Sequence, residues 1–244
     1  MSLIKKLPLK KIFLTAEWRK LAMANYAIDK SLLTKHLPYK TELDFFGDTC
    51  YVSLIGFMFL NTRMKNIGVP FHKNFPEVNL RFYVRYKDGN IWKRGAVFIS
   101  EVVPLPALAL VANTIYGEHY ETMRMKHNWQ INEKTISAEY KWKKGDWNTF
   151  KVTAENKPKD ISIGSEAEFI TEHYWGYTQR GATKTSEYGV EHQRWQIYDT
   201  TDYIIDVDFK KMYGYTFAFL KNETPTSVFL VEGSEILIRE GSKI

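Results

Sequence analysis

The chain has 244 residues and a net charge of +6, with 34 lysines and arginines against 28 aspartates and glutamates. That length can bury a core without staples, and 44% hydrophobic with 25% charged residues is the balance of a soluble globular protein. The single cysteine, Cys50, excludes an internal disulfide, a thiolate zinc site and a CxxC redox motif.

Fifteen Tyr, 15 Phe and 7 Trp favour sheet over helix. Residues 1–18 carry lysines but no apolar run of the length a signal peptide needs, and no later segment approaches a membrane span. A soluble, cytoplasmic protein with no membrane contact is therefore expected. No linker, low-complexity tract or repeat divides the sequence, so 1–244 is read as one domain. The lysines are spread along turns and strand ends; KWKKGDW at 141–147 reads as a strand entering a turn, a solvated face rather than a nucleic-acid patch.

In chain order, Asp29 is placed to N-cap a short helix that Pro38 stops. Residues 49–63 read as a long apolar strand in which Gly56 marks a bulge or a bend. Strict alternation over 77–86 puts Val78, Leu80, Phe82 and Val84 on one face and Glu77, Asn79, Arg81, Tyr83 and Arg85 on the other. Asp88-Gly89 makes a turn, and 94–102 returns as the partner strand. The principal helix follows, with Pro106 in its first turn and Gly117 near its end. Further strands are expected at 135–142, 148–155, 168–178, 187–199, 202–209, 214–220 and 226–240. The fold class is thus α+β, predominantly antiparallel, with the sheet curved or barrel-like, because that many strands laid flat would expose long edges.

Two stretches carry candidate chemistry. TEHYWGYTQRG at 171–181 crowds hydrogen-bonding aromatic residues into one segment. Read as a strand turning at Gly181-Ala182, it sets Thr171 opposite His192 and His173 opposite Val190, so both histidines share a face. The plainer reading is a hairpin whose aromatic pairs fix its register. On 77–86, Glu77, Asn79 and Arg81 point the same way within about 13 Å. Such a face either meets water or, if the sheet curls round it, lines a pocket where Arg81 grips a carboxylate and Glu77 moves a proton. None of His36, His72, His119, His127, His173 or His192 has a ligand spacing, and no GxGxxG, P-loop or GxSxG occurs, so neither metal nor other cofactor is expected.

WRKLAMANYAID (18–29), YVSLIGF (51–57), FPEVNLRFYV (75–84), RGAVFIS (94–100), TEHYWGYT (171–178) and YGVEHQRW (188–195) together resemble the YqjF-like family of uncharacterised bacterial proteins. The family is similar to acetoacetate decarboxylase in fold, which implies a cone-like or barrel-like β-rich domain with an internal cavity and Glu77 at the position of a pocket glutamate. Acetoacetate decarboxylase works through a Schiff-base lysine made acidic by an adjacent lysine. In the corresponding segment there is no lysine from Arg94 to Met125, so the resemblance implies the scaffold and not the amine. The resulting expectation is an internal polar-lined pocket for a small-molecule ligand, in an enzyme acting on a small organic acid or carbonyl compound. Its catalytic residues would be Glu77, Arg81 and His173, and its substrate-binding residues Asn79, Tyr177 and His192. A non-catalytic binding or sensing protein and a protein-interaction module are the alternatives, and the oligomeric state, homo-oligomer included, stays open.

Overall fold

The computed structural model describes residues 10–65, 67, 68, 72–115 and 117–244; residues 1–9, half of the 1–18 stretch read above, lie outside the described residues, as do 66, 69–71 and 116. The chain runs β1 (Ile12–Ile28), α1 (Lys30–Thr34), β2 (Thr41–Leu43), β3 (Cys50–Met64), β4 (Phe75–Asp88), β5 (Ile91–Val103) and α2 (Pro106–Ile115). It continues through β6 (Tyr120–Thr122), β7 (Arg124–Ile131), β8 (Thr135–Lys144), β9 (Asp146–Glu155), β10 (Lys159–Asp160), α3 (Glu166–Thr171), β11 (Trp175–Gly181) and β12 (Lys184–His192). The last elements are β13 (Gln196–Tyr198), β14 (Thr200–Asp206), α4 (Phe209–Tyr213), a 3-10 helix (Tyr215–Lys221), β15 (Ser227–Arg239) and β16 (Ser242–Lys243). Among the described residues no helix is long and apolar enough to cross a membrane.

The described strands form two sheets, one of 12 strands in the order β10-β13-β15-β1-β3-β4-β5-β11-β12-β16, with β2 added on β4 and β6 on β5, and one of four in the order β14-β9-β8-β7. Pairing is antiparallel except where β5 meets β11 and β6. Strand β12 also pairs with β15 over Val190 to His192, so the large sheet curls back on itself. The mostly antiparallel, curved α+β architecture expected from the sequence is the one observed.

Local irregularities produce the curl. Lys20 on β1 has φ 54° and the β1–β3 register slips beside it, while Ile99 is skipped in the β4–β5 ladder. Such bulges bend a strand and increase its twist. The bulge anticipated at Gly56 therefore sits on the neighbouring strand. Gly56 itself is needed because the Tyr140 ring of β8 lies on it: a Cβ there would be 2.7 Å from Tyr140 Cδ2. The Tyr140 hydroxyl crosses between the sheets to donate to Lys20 O at 2.7 Å.

Both faces of the large sheet are consequently buried. Val78, Leu80, Phe82 and Val84 pack against Tyr140, Trp142, Phe150 and Val152 of the small sheet. The opposite face, inside the curl, gathers Phe57, Phe59, Phe75, Tyr83, Phe169 and Ile236. Asp29 caps α1 as read, accepting from Ser31 N at 2.8 Å. The β4–β5 hairpin forms with Asp88 opposite Ile91, so its turn is Gly89-Asn90, one residue later than expected.

Two strand assignments are corrected. Residues 215–221 form a 3-10 helix rather than a strand, following the extended, positive-φ Gly214 that ends α4. Residues 166–171 form α3: Ser165 Oγ accepts from Glu168 N at 3.2 Å, and the Glu168 carboxylate accepts from Gly164 N at 2.6 Å. This reciprocal capping decides for helix over the β-rich composition that follows.

Candidate functional site

With Val78, Leu80 and Phe82 committed to the small sheet, strand alternation turns Glu77, Asn79 and Arg81 into the curl. Asn79 faces Glu101 across the β4–β5 ladder, and Glu101 lies beside Tyr120 in the β5–β6 pair. Asn79 Nδ2 donates to Glu77 Oε1 at 2.9 Å, and the Tyr120 hydroxyl donates to Oε2 at 3.1 Å. Glu118, two residues before Tyr120, completes a group of three buried carboxyls.

Burial is the main reason these acids hold their protons. It lifts Glu77 to about 7 against the hydrogen bonds from Asn79 and Tyr120, with repulsion from Glu118 adding to the rise and Arg81 opposing it. It lifts Glu118 to about 7 as well, offset in part by Thr178, Tyr188, Glu101 and Arg180. Glu101 is pushed far above the usual carboxyl range by burial and by the charges of Glu118 and Glu77. Among the described residues neither Glu118 oxygen has a partner at normal hydrogen-bond geometry, although Thr178, Tyr188 and Glu101 are close enough to act on its charge; Glu101 Oε2 and Asn79 Oδ1 likewise have none among them.

Beside Glu118, Tyr120 and Tyr188 lies a cavity of about 80 Å³. Its other walls are apolar: Phe13 and Leu14 of β1, Phe59 and Met64 of β3, Leu108, Val111 and Ala112 of α2, and Ile238 of β15. Glu77 and Asn79 stand behind Tyr120 rather than in the wall, so the polar row of β4 is not itself the lining. Gly176 gives Tyr188 its place, because the two are partners across β11–β12 and a Cβ on Gly176 would sit 2.1 Å from Tyr188 Cζ. Gly176→Ala is expected to destabilise the fold by about 1–3 kcal/mol through overpacking. Urea denaturation would measure this, and in a Tyr188→Ala background the same change should cost little, since the two changes share one contact.

Of the residues anticipated from sequence, Glu77 and Asn79 share a hydrogen bond, and Arg81 acts through its charge on Glu77, His173 and His192. Arg81 Nη2 donates to Ile170 O at 3.3 Å, its guanidinium lies 5.4 Å from the Tyr83 ring centroid, and its Nε is unpartnered. His173 is buried with Nε2 3.1 Å from Asp44 Oδ2 and its ring 4.6 Å from that of Tyr83. Desolvation lowers its pKa to about 4, against the pull of Asp44. His192 is stacked between Tyr174 and Trp195, its pKa likewise lowered to about 4 by burial. Tyr177 points to the opposite face of the sheet, towards Lys93 O at 3.3 Å and Glu187 at 3.4 Å, where burial raises its pKa.

The expected register of the 171–192 hairpin is also corrected. Thr171 belongs to α3, His173 precedes the strand, and β11 pairs Tyr177 with Glu187 and Thr178 with Ser186, so Thr171–His192 and His173–Val190 do not form. From this stretch Thr178 acts on Glu118 as a hydrogen-bonding neighbour and Arg180 through its charge alone, Arg180 lying across the positive-φ Gly117 with Nη1 2.2 Å from where a Cβ would be. Glu101, Glu118, Tyr120 and Tyr188 were not singled out; a lone carboxylate inside the apolar run AVFISEVV is the signal that marks Glu101. Among the described residues no group of three or more His, Cys, Asp or Glu is arranged to hold a metal ion.

Residues 15–235 match a family of uncharacterized conserved proteins, DUF2071. The chain belongs to that family. A curated relative, the uncharacterized protein YqjF of Bacillus subtilis (strain 168), is 29% identical over 167 residues, covering 66% of this chain and 65% of that protein's length. Among solved structures, acetoacetate decarboxylase from Legionella pneumophila superposes with a TM-score of 0.64 at 14% identity, over 99% of this chain and 93% of that one. The enduracididine biosynthesis enzyme MppR gives a TM-score of 0.68 at 10% identity, over 97% and 88%. An acetoacetate decarboxylase-like enzyme from Sphingomonas wittichii RW1 gives 0.64 at 9%, over 96% and 94%. At these identities the DUF2071 chain shares the fold of the decarboxylase-like proteins, and its site has to be read from its own residues.

Proposed function

We propose that the protein is an acid–base enzyme that enolises a small carbonyl compound without forming an imine. The observation that carries this reading is the pair Glu118 and Tyr120 at one end of an apolar cavity, with Glu77 hydrogen-bonded behind Tyr120. With Glu77 protonated and donating to the Tyr120 oxygen, the reverse of the hydrogen bond described above, the Tyr120 hydroxyl can turn to a carbonyl oxygen seated against it, which would leave an adjacent C–H facing Glu118. Ionised Glu118 takes that proton, the C–H electron pair moves into the enolate, and the oxygen takes a proton from Tyr120. Protonated Glu77 then restores the tyrosine, and the reverse sequence returns substrate or its tautomer. Acids with pKa values near 7 suit both directions of such a transfer at neutral pH.

Two further facts support the reading. One neighbour in fold, MppR, is described in complex with pyruvate and with the condensation product of pyruvate and imidazole 4-carboxaldehyde, both carbonyl chemistry. Among the described residues no lysine lines the cavity, so the covalent route of an amine has no candidate among them. The mainly apolar wall favours, as the second reading, a binding protein that holds such a molecule without turning it over.

The test is exchange of the α-hydrogens of 2-butanone in D2O, followed by NMR. Glu118→Gln and Glu77→Gln are each expected to slow exchange by about 10²–10⁴-fold while leaving the fold intact by circular dichroism. Binding of 2-butanone with no exchange by the unaltered protein would favour the binding reading instead.

A further inference from the structure

We infer that the cavity selects uncharged carbonyl compounds and rejects oxo acids, a conclusion about substrate class that rests on the acid–base reading above. The argument is one of charge and size. Three carboxyls, Glu77, Glu101 and Glu118, crowd one end of the site, and no positively charged side chain is among the cavity's described lining residues. The two guanidiniums that act on these acids are directed elsewhere. Arg81 is engaged by Ile170 O and the Tyr83 ring, and Arg180 lies outside the wall, with Nη2 3.5 Å from Thr114 O.

A carboxylate entering this space would be desolvated beside Glu118 with no cation to receive it, a combination that buried charge does not tolerate. A ketone needs only a donor for its oxygen and an apolar wall for its alkyl groups, and Tyr120 with Phe13, Phe59 and Ile238 supplies both. Size sharpens the point: about 80 Å³ is roughly half the ~150 Å³ that accommodates benzene, so the ligand is a chain of about three to five non-hydrogen atoms.

Three probes of matched carbon count separate the possibilities: 2-butanone, 2-oxobutanoate and sec-butylamine, each titrated at pH 7 by ligand-observed NMR. For so small a ligand a Kd on the order of millimolar is expected for 2-butanone. 2-Oxobutanoate is expected to bind at least tenfold more weakly, and Glu118→Gln, or Glu101→Gln if that variant folds poorly, should narrow the gap. Equal or tighter binding of 2-oxobutanoate, a tenfold preference for sec-butylamine, or no binding of 2-butanone would each overturn the inference. The exchange assay keeps the two conclusions apart. Glu118-dependent exchange of 2-oxobutanoate in preference to 2-butanone sinks the charge selection and keeps the acid–base reading; selective binding of 2-butanone without exchange does the reverse.

Discussion

Glu118→Gln is expected to stabilise the protein by about 3 kcal/mol at pH 8 and by little at pH 5. The carboxyl rises from 4.5 in the unfolded chain to about 7 in the fold, chiefly through burial, and each pKa unit is about 1.36 kcal/mol. A raised acid binds more protons folded than unfolded, so its penalty is absent well below pH 4.5, grows as pH climbs from 4.5 to about 7, and is complete above that. Glu77 follows the same course and Glu101 extends it to higher pH. The histidines act in the opposite sense. His173 and His192, both lowered to about 4 by burial, add stability above pH 6.5 that is lost as pH falls from 6.5 to 4. Between pH 4.5 and 6.5 the two sets oppose each other, and above 6.5 only the carboxyl penalty still grows. With three raised carboxyls against two lowered histidines, stability should peak near pH 4.5 and decline towards pH 8, and the glutamine variant should flatten that decline. For a chain of this size 3 kcal/mol corresponds to about 6–12 °C in Tm. Denaturant titrations at pH 5, 6.5 and 8 measure it directly. A wild-type stability that keeps rising to pH 8, or a variant that gains nothing there, would show that Glu118 is already well solvated or paired.

Much of this arrangement is legible in the sequence, and the divide has physical causes. Alternation over 77–86 identifies the hairpin and the two faces of β4, because period-2 patterning survives whenever one face is apolar. It does not say whether the other face is wet. That depends on bulges at Lys20 and Ile99, and on the return pairing of β12 with β15, which are long-range events without a local signature. Glu77 and Asn79 are found by their row, whereas Glu118 and Tyr120 lie on a connection after α2 and join the site only because β6 pairs in parallel with β5. The crowded 171–181 stretch misleads for a different reason. Its aromatic content argues for a strand, but the Ser165–Glu168 capping pair begins a helix just before it and shifts the register of everything that follows.

Asp44→Ala is expected to cost about 3 kcal/mol and to leave 2-butanone exchange per folded molecule unchanged. Asp44 is buried and accepts from Arg94 Nε at 2.6 Å on the same oxygen that meets His173 Nε2 at 3.1 Å. Burial alone would raise its pKa, but the bonds from His173 and Arg94 more than offset this and hold the carboxyl below its usual value. With His173 neutral at pH 7, its Nε2 carries the hydrogen that Asp44 accepts, and Nδ1 is left as a buried acceptor without a partner. Removing the carboxylate strands that imidazole N–H and leaves the Arg94 guanidinium with the Phe169 ring, 4.8 Å from its centroid, and the more distant charge of Glu168. Breaking a buried pair in this way costs about 3–5 kcal/mol, and the lower end applies because the Arg94 side chain is 36% exposed and keeps its access to water. Asp44→Asn, which can still accept one bond, should lose less. The comparison decides what His173 does. If it holds α3 and the 172–174 turn against β4 through Asp44 and Tyr83, stability falls while exchange persists at temperatures below the lowered Tm. If it moves protons to a substrate, Asp44→Asn will instead depress exchange in proportion, with Tm nearly unchanged.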